Sequence, residues 1–133
     1  MASFTYTIWS DSSLPELEGQ LRLIFEQLNF TLINPRTGKI HFWSDCENVV
    51  DPTSLRSFSD IEFPIGVQWW RGEDDIFTSI YESSEVGGLL CCVSLVGFSR
   101  EEQAEIARLL ILHVAPEKKN FPEDFDVFRL SAE

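Results

Sequence analysis

His41, His113, Cys46, Cys91 and Cys92 are the residues of this chain whose types suit metal binding or nucleophilic attack. Zinc sites pair their ligands at short fixed spacings, C-x-x-C or H-x-x-x-H, and neither occurs. His41, Asp45, Cys46 and Glu47 are the one stretch where ligating types gather, and their spacing matches no such pattern. A catalytic Cys46 with His41 as its base would need positive surroundings to lower the thiol pKa, and its neighbours are acidic. Cys91 lies in an apolar run, which also disfavours the thiolate. His113 falls in the last turn of a helical stretch, where a cation complements the helix dipole. G-x-S-x-G, G-x-G-x-x-G and G-x-x-x-x-G-K-[ST] are all missing. The expectation is a chain with no catalytic residue, no cofactor and no metal.

Chemistry of contact is better represented. Trp69-Trp70-Arg71 sits in a strand-like stretch, and adjacent strand residues face opposite ways. One tryptophan is therefore expected in the core and the other outside it. Trp43 and Trp70 are expected on the same outer sheet face. Tryptophan, tyrosine and arginine dominate interface energies. Glu73, Asp74 and Asp75 follow in a turn, with Glu82 and Glu85 further on, and Asp45 and Glu47 stand in the acidic stretch 44–64. The partner-binding set is thus Trp43, Trp70, Arg71, Glu73, Asp74, Asp75, Asp45 and Glu47. The plainer alternative has the outer tryptophan covered by the C-terminal tail and the carboxylates simply solvated.

Charge narrows the partners. Asp and Glu number 22 against 10 Lys and Arg, a net charge of −12. That balance repels nucleic acid and anionic membrane surfaces and either keeps the protein soluble or steers a basic protein towards it. The basic residues are scattered, with Lys118-Lys119 the one adjacent pair, so direct nucleic-acid binding is not expected. The start of the chain has no basic n-region, and the longest apolar run, 109–115, is interrupted by His113 and too short to span a bilayer. Three cysteines without framework spacing point to a reducing compartment, hence the cytoplasm.

These groups need a scaffold, and 133 residues with 44% hydrophobic and 13% aromatic content suit one packed domain, 1–133. Phe4, Tyr6 and Ile8 alternate with polar residues as in a half-buried strand. Ser13-Leu14-Pro15-Glu16 forms a capping box, and Leu14, Leu17, Leu21, Ile24, Phe25 and Leu28 continue it as an amphipathic helix over 14–28. Residues 30–33 and 39–43 flank Asn34-Pro35-Arg36-Thr37-Gly38 as a hairpin. The stretch 44–64 is expected to be an irregular contact loop, with one short helix from Asp51-Pro52 through Leu55 and Phe58. Strands over 65–71, 76–81 and 89–96 read as a meander, the last covered on both faces. Ser99 and Glu102 open a second helix, 100–114, apolar around most of its girth. The segment 125–130 suits an edge strand or a cover for the core.

The resulting fold class is α+β, a mainly antiparallel sheet of five to seven strands with two helices packed on one face. In type, as a small acidic α+β chain without catalytic residues, it resembles bacterial immunity proteins that neutralise toxins. That resemblance rests on no defined motif and assigns no residues. It implies a cytoplasmic protein-binding module that blocks a basic partner. Two other functions compete: a dimeric chaperone-like or structural subunit joined through helix 100–114, and a small-molecule-binding domain or enzyme with a pocket between sheet and helices near His41 and Cys46.

Overall fold

The computed structural model describes residues 3–132. The chain runs through β1 (Ser3–Ser10), α1 (Leu14–Gln27), β2 (Ile40–Trp43), β3 (Glu47–Val50), β4 (Ile65–Arg71), β5 (Asp74–Glu82), β6 (Leu89–Val96), α2 (Arg100–His113) and β7 (Phe128–Ala132). The strands form one antiparallel sheet of seven in the order β3-β2-β4-β5-β6-β1-β7, and with the two helices the fold is α+β.

Both helices start where their caps place them. Ser13 Oγ accepts from the Glu16 N–H while the Glu16 carboxylate accepts from the Ser13 N–H, the full capping box. Ser99 Oγ accepts from the Glu102 N–H in the same way. Leu17, Leu21, Ile24 and Phe25 of α1 and Ile106, Leu109 and Leu110 of α2 are buried. They join one core with Tyr6, Ile8, Ile65, Val67, Trp69, Ile76, Ile80, Cys91, Val93 and Leu95 of the sheet. Period-two alternation thus sends one side of each central strand to the helices and leaves the other outside. Thr78 is polar yet fully buried among them; it accepts from Trp69 Nε1 at 3.0 Å and donates to the Val67 carbonyl.

Several expectations need correction. The stretch 44–64 is not a loose contact loop. It contributes β3 and two 3-10 turns, Pro52–Ser54 and Phe58–Asp60, in place of one helix. It also buries Leu55, Phe58 and Ile61. Glu18 of α1 holds it: its Oε1 accepts from the Phe58 N–H (2.7 Å) and Ser57 Oγ (3.0 Å), and its Oε2 from Arg22 (2.9 Å). The first arm of the 30–43 hairpin is reduced to bridges. Ile33 pairs with Ile40, but Thr31 exchanges backbone hydrogen bonds with Trp70. The far end of β4 captures it before a continuous arm can form.

The apolar run of β6 is covered on one face only: Leu89, Cys91, Val93 and Leu95 are buried, Leu90, Cys92 and Ser94 half-buried, and Val96 exposed. Likewise α2 is not buried all round; Ile111 and Leu112 are 52% and 62% exposed. The tail does form an edge strand, β7, but from Phe128 onward and against β1. It is separated from β4 by β5, β6 and β1, so it does not cover Trp70.

Candidate functional site

The two helices leave the second face of the sheet without helical cover among the described residues. Its β2–β4–β5 quarter is aromatic. Trp43 pairs across β2–β4 with Gly66, and Phe77 lies one strand further on, beside Gly66's other neighbour Ser79. A Cβ on Gly66 would sit 2.8 Å from the Phe77 ring and 3.2 Å from Trp43 Cβ. Glycine is what lets the two rings close over β4, edge to face, with centroids 5.1 Å apart. Trp69 is fully buried, and Trp70 is the outer tryptophan, half-buried on the same face as Trp43. The His41 ring packs against Trp70 at 5.3 Å.

His41 is held from both sides. Its Nδ1 lies 3.4 Å from the Glu47 carboxylate and its Nε2 3.4 Å from Asn34 Nδ2. Both ring nitrogens are thereby turned to partners other than Cys46, which is exposed in the turn between β2 and β3. Among the described residues no group of three or more His, Cys, Asp or Glu could hold a metal ion.

Beside Trp70 lies a pocket of about 210 Å³, lined by Asn34, Arg36, Trp70, Gly72 and Glu73. Arg36 and Glu73 form an exposed ion pair at 3.7 Å. The Trp70 Nε1 is buried without a hydrogen-bond partner. Asp75 stands directly across from Trp70 on β5 and accepts from Gln68 Nε2 at 2.8 Å.

The eight residues expected to meet a partner are therefore not one patch. Trp43, Trp70, Glu47 and Asp75 share the outer face, Glu73 borders it from the β4–β5 turn, and Asp45 is exposed in the β2–β3 turn. Arg71, by strand alternation, is on the helix side. Its guanidinium donates to Glu102 of α2 (2.5 Å) and to Asp74 (3.2 Å), and lies 4.5 Å over the Phe30 ring. The Glu102 hydrogen bond foremost, against the opposing effect of burial, raises the Arg71 pKa. A second pocket, about 240 Å³, opens here between Leu28, Phe30, Arg71, Glu101, Glu102, Glu105 and Ile106. Glu82 is at the opposite end of β5 from Asp75 and so is remote from Trp70.

Sequence reasoning missed Asn34, Arg36 and the α2 carboxylates. The turn signal at 34–38 and the second capping box marked both segments, but neither pattern says which end of the sheet they reach. Towards the middle of the outer face, Cys92 Sγ is 3.5 Å from the Tyr81 hydroxyl and 3.6 Å from Thr7 Oγ1. The Cys92 hydrogen bond, then burial, pushes the Tyr81 pKa up to about 12. Burial raises that of Cys91, on the core side.

No protein-family model, curated protein or solved structure matches this chain. Among the described residues no helix is long and apolar enough to cross a membrane.

Proposed function

We propose that this protein works by binding, as an acidic module that takes a basic protein partner onto the uncovered sheet face. The observation that carries this is the aromatic surface of Trp43, Phe77 and Trp70, left open beside Glu47, Glu73 and Asp75. Half-buried tryptophan with carboxylates beside it suits an anchor-and-rim interface. The net charge of −12 would speed encounter with a cationic protein, and salt would slow it. A toxin-neutralising immunity-type protein is its most concrete form, since blocking an active site asks for no chemistry from the blocker. Three free cysteines fit a reducing, cytoplasmic setting.

Capture from native lysate, washed at low and high salt, tests it. One stoichiometric basic protein is expected, weakened by salt and by Trp70→Ala or Asp75→Ala. Recovery of nothing but the bait would count against it.

A second function has its own support. Ile111 and Leu112, on the outer side of α2, are 52% and 62% exposed, and Leu23 of α1 is 54% exposed. Large exposed apolar side chains of this kind favour a homodimer through α2. Sedimentation across a wide concentration range separates the two: a constant monomer removes the dimer.

A further inference from the structure

Two buried indoles donate their N–H to an acceptor of the protein. Trp9 Nε1 donates to the Gly87 carbonyl at 2.8 Å and Trp69 Nε1 to Thr78 Oγ1 at 3.0 Å. Trp70 is only half-buried as a residue, but its Nε1 atom is buried and has no acceptor within the protein. A buried donor left unmade lowers stability, so its persistence asks for an explanation. Asn34, which lines the same pocket, accepts from the Arg36 N–H through its Oδ1 at 2.9 Å. What adjoins the indole is the pocket it lines with Arg36 and Glu73.

We infer that the Trp70 pocket receives a main-chain carbonyl from an extended, lysine- or arginine-rich segment of the partner, with the indole N–H as donor. This rests on the basic-partner function proposed above. Arg36 and Glu73 hold each other at 3.7 Å with side chains 78% and 91% exposed. An exposed pair of that length contributes little, so the two can part and widen the pocket that the indole lines. Glu73 then becomes free for a cation. Asp75, opposite Trp70, offers a second carboxylate on the same face. In an extended segment, side chains flank each carbonyl on alternating sides. One carbonyl on the indole therefore leaves basic side chains within reach of both carboxylates.

The test is an indole N–H nitrogen–proton correlation spectrum of the full chain, titrated with hexalysine and separately with spermine. Hexalysine carries both cations and carbonyls; spermine carries only cations. The Trp70 signal is assigned by its loss in Trp70→Phe, whose fold is checked by amide dispersion. Hexalysine should move that signal downfield saturably, spermine should not, and Trp70→Phe should weaken hexalysine about threefold to tenfold, the value of one hydrogen bond. If hexalysine binds and Glu73→Gln with Asp75→Asn weakens it, but the indole signal stays or spermine moves it equally, the carbonyl assignment is overturned and the basic-partner function stands. If neither cation binds the acidic face, both fall.

Discussion

Glu18 shows how one side chain fixes the position of a long connection. It is 7% exposed, yet each of its carboxylate oxygens is met by a donor, and one of those donors is the buried Phe58 N–H. Glu18→Ala removes the acceptors and leaves that N–H unpaired in the core. Losing charge-assisted bonds and stranding a buried donor costs about 2–4 kcal/mol. Urea unfolding should show that loss, while Glu16→Ala, which touches only the exposed cap, should cost about 1 kcal/mol. Tyr81 gives a pH-dependent counterpart. Its folded pKa is raised from 10.0 to about 12, first by the Cys92 hydrogen bond and then by burial. The native state holds this proton more tightly than the unfolded chain does. Its contribution is therefore complete below pH 10.0 and is lost as pH climbs towards about 12. Tyrosinate absorbance should rise later than for free tyrosine, and Tyr81→Phe should flatten the alkaline loss of stability. An unshifted titration of both tyrosines would contradict this, because burial raises Tyr6 as well.

At the scale of elements, β4 organises the site. Gly66 lets Trp43 and Phe77 meet, Trp69 anchors the core, and Trp70 faces outward. Gly66→Ala pushes a methyl into the Phe77 ring, and overpacking of this kind costs about 1–3 kcal/mol. The prediction is a lowered unfolding midpoint with a changed aromatic circular-dichroism signal; an unchanged near-ultraviolet spectrum would refute the close ring contact. The strands β1, β4, β5 and β6 and both helices were legible because alternation, caps and 3.6-residue spacing are local signals. The split of Trp69 from Trp70 was legible for the same reason. Arg71 belongs to the same alternation, which puts it on the helix side, but the carboxylate that claims it sits on α2, 31 residues away in sequence. The burial of Phe58 depends likewise on a long-range contact, to Glu18, whereas β3 pairs with β2 across a short turn that carries no glycine or proline signal. The exposure of Ile111 and Leu112 was hidden because an apolar composition does not say which side of a helix finds a partner.

For the molecule as a whole, an excess of acidic groups surrounds a sheet with one covered and one open face. A charge of −12 opposes compactness through self-repulsion. Raising ionic strength from about 0.01 to about 0.1 M shortens the screening length from about 30 to about 10 Å and should raise the thermal midpoint. The same salt should weaken association with a basic partner, so stability and binding are expected to move in opposite directions. The most direct measurement compares capture from native lysate by wild type, by Trp43→Ala/Trp70→Ala on the open face, and by Ile111→Ser/Leu112→Ser on α2. The account predicts one stoichiometric basic protein on wild type and on the α2 variant, lost from the tryptophan variant and reduced by salt. Capture that survives loss of both tryptophans, or that disappears with the α2 pair instead, would contradict it.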